Sequence, residues 1–147
     1  MNKIITIAMS VLMICPNAFA ERKYLGQFSS NKFNSNSTAN QFGQHGSSFS
    51  ANSINNPHGQ YGSQYSNKSV SNPYATNAPK LYDSQGNYRG KLSSNRFDPD
   101  STSNPYGRYG SKFSPDSVNN PYGSGSKFHS DSPNNPYGSG MTIEGDD

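Results

Sequence analysis

The chain has 147 residues, a formal net charge of +3, 29% hydrophobic residues, 14 glycines and ten prolines. That length allows one ordinary domain at most. The small charge excludes the concentrated positive surface that nucleic-acid binding requires, so no nucleic-acid partner is expected.

Residues 1–20 differ from the rest. Lys3 precedes Ile4–Ile14, a run broken only by Thr6 and Ser10, and Ala18-Phe19-Ala20 follows as a small-x-small site. This is the three-part pattern of a secretory signal peptide. The run falls short of the roughly 20 apolar residues a transmembrane helix needs, so no membrane anchor is expected after cleavage. Bulky Ile14 before Cys15 argues against a lipidated cysteine, and cleavage after Ala20 removes the only cysteine. The expected destination is the periplasm, the cell envelope or the exterior, with no disulfide to staple the mature chain.

Beyond residue 20 the aliphatic residues are Leu25, Ile54, Val70, Leu81, Leu92, Val118, Met141 and Ile143. Ordering a residue costs about 1–2 kcal/mol of backbone entropy, and burying an aliphatic side chain returns about 1.5–3 kcal/mol. Eight such side chains predict a chain near the border of disorder. Residues 21–80 carry five basic groups and one acid, and residues 81–147 carry six and eight. Two solvated surfaces of opposite sign account for that split.

A repeat organises the mature sequence. Units start at Phe33, Phe49, Tyr65, Phe97, Phe113 and Phe128, 16 residues apart except for a last step of 15. The fifth position is always Ser (Ser37, Ser53, Ser69, Ser101, Ser117, Ser132) and the eighth always Asn (Asn40, Asn56, Asn72, Asn104, Asn120, Asn135). Pro follows that Asn in five units, Gln41 being the exception. "YLGQFSSNKF" from Tyr24 matches "YRGKLSSNRF" from Tyr88, an offset of 64. The expected organisation is a first repeat module at 21–74, a linker and hairpin turn at 75–87, a second module at 88–140 and a tail at 141–147.

Lys80-Leu81-Tyr82 and Asn87–Leu92 flank Asp83-Ser84-Gln85-Gly86. Strand formers around a Gly-containing turn predict a β-hairpin near 80–92, marginal unless neighbours support it. In "SPDSVNNPYG", Ser114 suits a cap, Pro115 the first helical position and Asp116 the positive helix end, which predicts a short helical turn. Asn120-Pro121-Tyr122-Gly123 fits a type I β-turn. The expected fold is a mostly irregular, low-complexity repeat protein of turns, short helical turns and one hairpin, largely flexible. The alternative is a compact stack of turns, each unit packing its first aromatic on the next.

The chemistry points away from catalysis. His45, His58 and His129 occupy three different repeat positions, and no nucleophile elbow, phosphate loop or zinc spacing occurs. No enzyme, cofactor or metal site is expected. Asp98, Asp100 and Asp116 offer hard oxygen ligands on turns, but the first module has Asn36, Asn52 and Lys68 among the matching places. Cap-and-turn roles explain these acids without calcium. Tyr74, Tyr106, Tyr109, Tyr122 and Tyr137 are the candidate binding residues, able to stack on sugars beside Asn and Ser groups. The competing reading is that such rings pack over the adjacent Pro and Gly.

The stretch "NPYATNAPKLYDSQGNYRGKLSSNRFDPDSTSNPYGRYGSKFSPDSVNNPYGSGS" resembles small exported bacterial proteins with Asn-Pro-Tyr-Gly repeats. The likeness is specific over residues 72–138 and looser back to Tyr24. The first half departs from it, with Gln41-Phe42 for Pro-Tyr and His58 for Tyr. It implies export and repeat architecture and carries over no catalytic residue. The function expected is an exported, non-enzymatic, envelope-associated structural or interaction module with an envelope glycan or protein as partner. A calcium- or surface-responsive secreted factor is the alternative.

Overall fold

In the computed structural model, which describes residues 21–146, the turns of the repeat follow one another at steps of three residues. In the first unit Ser37 N–H donates to Asn34 O, Asn40 to Ser37, Gly43 to Asn40 and Gly46 to Gly43, at 3.1–3.3 Å. An extra residue then shifts the frame, and Ser47 N–H also bonds Gly43 O at 3.0 Å. The same series runs from Ser50 to Ser63 and from Asp98 to Ser111. Five three-residue steps and one added residue make the period of 16. The signal peptide and Cys15 lie outside the described residues.

No helix forms among the described residues, so the expected short helical turns are corrected. Ser117 N–H does bond Ser114 O at 3.2 Å, but the next bond again spans three residues, Asn120 N–H to Ser117 O. The Ser117 hydroxyl oxygen takes the N–H of Asn119 at 3.1 Å. Side-chain acceptors two residues back compete for the amides a helix would use.

Four strands close the molecule: β1 (Arg22–Phe28), β2 (Lys80–Tyr82), β3 (Tyr88–Lys91) and β4 (Met141–Asp146). They form one antiparallel sheet in the order β1-β4-β2-β3. The hairpin β2–β3 is therefore not alone. Its support is β4, which pairs Leu81 with Ile143 on one side and Phe28 with Met141 on the other. The segment read as a tail is a central strand. Its Met-Thr-Ile-Glu alternation buries Met141 and Ile143, as a strand covered on one face requires.

The two modules attach to the sheet alike. Gln27 N–H bonds Asn36 O at 2.7 Å and Thr38 N–H bonds Gln27 O at 2.9 Å. Sixty-four residues on, Lys91 and Thr102 repeat these bonds with Asp100 and Lys91 at 2.8 and 3.0 Å. Gly26 (φ 98°) and Gly90 (φ 96°) make the approach possible. A Cβ there would fall 2.5 Å from the His45 Cβ or 2.6 Å from the Tyr109 Cβ. Only glycine meets both the positive φ and the contact.

The largely flexible, irregular chain expected from composition is thus corrected to a compact body. Leu25, Ile54, Tyr61, Leu81, Val118, Met141 and Ile143 form one core, with Phe28, Val70 and Leu92 packed on it. All eight aliphatic residues of the mature sequence converge there. The rest of the order comes from polar bonds. The repeated Ser is wholly buried in all six units, and its hydroxyl oxygen accepts the N–H two residues on at 3.0–3.2 Å. Asn55 and Asn119 tie successive coils, each amide donating to two carbonyls of the preceding coil, Thr38 and Gly46 or Thr102 and Gly110, at 2.8 and 3.0 Å. Counting aliphatic burial alone omits this network.

Candidate functional site: the outward ring rows

The first and tenth positions of each unit point into solvent. Phe33, Phe42, Phe49, Tyr65, Tyr74, Phe97, Tyr106, Phe113, Tyr122, Phe128 and Tyr137 are 87–99% exposed, and His58 fills the twelfth place, also exposed. First aromatics packing on the next unit, as the compact alternative supposed, are therefore corrected. The rings do not pack over Pro and Gly to hold the turns either.

Something else holds the turns. At every one of the twelve positions the backbone N–H bonds a side-chain oxygen two residues earlier, at 2.9–3.3 Å. For the tenth position the acceptor is the invariant Asn, as with Asn104 for Tyr106 and Asn120 for Tyr122. For the first it is Ser47, Ser63, Ser111 or Ser126, or Asn31 and Asn95 at the start of each module. The invariant Asn also donates its amide to the carbonyl six residues back in all six units, at 2.9–3.3 Å. Both halves of the amide are used, so neither Asp nor Ser can replace it. The backbone under each ring is fixed while the ring itself stays bare. Isolated exposed apolar side chains are ordinary, but a periodic set of eleven large rings is not.

Of the candidate residues read from sequence, Tyr74, Tyr106, Tyr122 and Tyr137 belong to these rows. Tyr109 does not. It is buried, edge-on to Tyr88 at 5.4 Å, with the Arg108 guanidinium 5.4 Å above its ring. His45, its counterpart in the first module, stacks edge-on to Tyr24 at 5.2 Å. The sequence reading missed the phenylalanines of the first position. Their regular pairing with a preceding cation, in Lys32-Phe33, Arg96-Phe97, Lys112-Phe113 and Lys127-Phe128, was the available signal.

Neighbouring rings share clefts. Tyr106 and Phe113 line one of about 520 Å³ together with Gly110, Asn119, Arg96 and Lys112. Tyr106 and Phe97 wall another of about 450 Å³. In the first module Phe42 and Phe49 wall the matching cleft over Gly46 and Asn55.

The acids are engaged elsewhere. Arg89 bonds Asp83 at 2.9 Å and Asp116 at 2.6 Å, Arg108 bonds Asp116 at 2.7 Å and Lys91 bonds Asp98 at 3.0 Å. Burial alone would raise the Asp83 carboxyl, but bonds from the Asn87 amide and the Arg89 guanidinium outweigh it and hold the group below the usual range. The Arg108 bond, followed by that of Arg89, likewise holds Asp116 low against the opposing effect of burial. Of the aspartates that a calcium reading needs, Asp98 and Asp116 already have cationic partners, and Asp100 accepts the Tyr88 hydroxyl at 3.2 Å. Among the described residues no cluster of three His, Cys, Asp or Glu side chains is placed to hold a metal, and no helix is long and apolar enough to cross a membrane.

The fifth unit is the short one. It has no residue where the fourth has Tyr109, and beside its Gly123 and Ser124 lies a polar cavity of about 320 Å³ lined by Arg89, Asp116, His129 and Asp131. Arg89 and Asp116 pair with each other there at 2.6 Å, and Asp131 accepts the Ser84 hydroxyl at 2.9 Å. No protein-family model, curated protein or solved structure matches this chain, so the ring rows and their clefts are what characterise it.

Proposed function

We propose that the protein is an exported, non-enzymatic interaction module that binds envelope glycan through its outward rings. The observation that carries this reading is the set of twelve exposed positions, each fixed by a side-chain bond to its own amide. A ring face stacks on a sugar face without needing a deep pocket, and the preordered backbone lowers the entropy lost on binding. Each contact is weak. A row of them on one rigid body multiplies into useful affinity.

The test is co-sedimentation of the mature chain, residues 21–147, with isolated cell-wall sacculi and with insoluble neutral polysaccharide. Binding that falls at least about tenfold when Tyr106 and Phe113 become Ala is expected, since 1.4 kcal/mol shared between two rings gives that factor. Equal retention of both proteins, or none of either, would remove the reading. The variant should keep its thermal midpoint, because both side chains are exposed.

A further inference from the structure

We infer that the clefts walled by Phe97, Tyr106 and Phe113 take an acidic glycan, a chain whose sugars carry carboxylates. This rests on the glycan reading above and names the class of sugar.

Three observations point to it. First, Tyr106 walls both clefts, so they run on from one another as a row of three rings. A linear polymer can lie along such a row and place successive sugars against successive rings. Second, the row carries its own charge. Arg96 lines both clefts and Lys112 lines the second. Both are exposed, and no ion pair holds either among the described residues. No acid among the described residues lines either cleft, and Asp98 and Asp116 are paired, Asp98 with Lys91 and Asp116 with Arg89 and Arg108. The surface left beside the rings is therefore positive. Third, the floor is rigid. The Asn119 amide holds the carbonyls of Thr102 and Gly110 at 2.8 and 3.0 Å, which spans the seam between the two coils. Gly110 is packed too tightly on the Asn104 carbonyl to carry a side chain, since a Cβ there would lie 2.1 Å from its oxygen, so bare backbone lines the cleft at that place.

The charge density selects among anionic polymers. Two cations serve three rings. That suits a glycan with about one carboxylate for each sugar or two. A nucleic acid sets one phosphate against each base and draws its affinity from many neutralised phosphates. Guanidinium and ammonium groups both form charge-assisted bonds to carboxylates, and the guanidinium does so with two parallel bonds.

The experiment measures binding of the mature chain to polygalacturonate, to its carboxyl-reduced neutral form, and to oligothymidylate, with sacculi as reference. The variants are R96Q/K112Q and Y106A/F113A, each checked for an unchanged circular-dichroism melt. The inference expects polygalacturonate to bind at least tenfold better than the reduced polymer. It expects R96Q/K112Q to remove about a tenfold share of that preference, with added salt doing the same to the parent. Y106A/F113A should weaken both polymers. Equal binding of charged and reduced polymer, unaltered by R96Q/K112Q, overturns the acidic-sugar inference and leaves the glycan reading standing. Tighter binding of oligothymidylate overturns it in favour of a nucleic acid. Failure to bind either polymer or sacculi overturns both readings together.

Discussion

Asn120 shows how single residues hold this fold. Its carbonyl oxygen accepts the Tyr122 N–H at 3.0 Å while its amide donates to Ser114 O at 2.9 Å. Asn120→Asp keeps the acceptor and sets a carboxylate oxygen against a carbonyl. A loss of about 1–3 kcal/mol in urea unfolding is the expected outcome, the cost of an unmet buried group. A variant as stable as the parent would show the donation to be dispensable. The invariance of Asn was visible in the aligned units, and so was its turn role. Its second bond was not, because the partner carbonyl sits six residues back and only the folded coil brings it near. His45 is a second case. Burial lowers its pKa below the ordinary value, so the unfolded chain takes up a proton more readily than the native one. Stability is therefore full above about pH 6.5 and is lost as the pH falls below it. His45→Tyr, the residue found at the matching Tyr109, should abolish that decline in thermal melts between about pH 7 and 5. An unchanged decline would place its origin elsewhere.

Among the elements, β4 was the least legible. Met-Thr-Ile-Glu alternates correctly, yet four residues at the end of a polar chain give too short a pattern to separate a strand from a tail. What makes it a strand is tertiary. β1 and β2 supply its hydrogen bonds, and Leu25, Leu81 and Tyr61 supply its apolar cover, Tyr61 also donating its hydroxyl to Asp146 O at 3.0 Å. The hairpin could be read because its turn is local. Its place at the sheet edge could not, because that depends on a partner some 60 residues away. Ile143→Ala should cost about 2–5 kcal/mol, the range for truncating a buried aliphatic residue. Phe113→Ala should cost under about 0.5 kcal/mol in the same denaturant series, since the ring is exposed. Similar losses at both sites would contradict the division into inward aliphatics and outward rings.

At the scale of the whole molecule the composition misled in one direction. Few aliphatic residues suggested flexibility, and the count was right. They are nevertheless gathered in one place, and Asn, Ser, Pro and Gly order the remainder by fixing each turn locally. Pro leaves less conformational freedom to lose, and the Asn and Ser side chains satisfy amides that would otherwise need a longer ladder. The aromatic spacing was also legible. Its direction was not, since packing inward and display outward give the same period. The acids add a pH dependence of their own. Asp83, Asp98 and Asp116 are all held below the ordinary carboxylate range. Their contribution is present above about pH 4 and is lost as the pH falls further, so a second, steeper decline should follow that of His45.

Amide hydrogen exchange on residues 21–147 tests the central claim, that a rigid coil of turns carries the rings. Slow exchange is predicted at the turn amides of all six units, among them Asn40, Asn56, Asn104 and Asn120, at levels approaching those of Leu81 and Ile143. Protection confined to the four strands, with the units exchanging as an unfolded chain does, would contradict it.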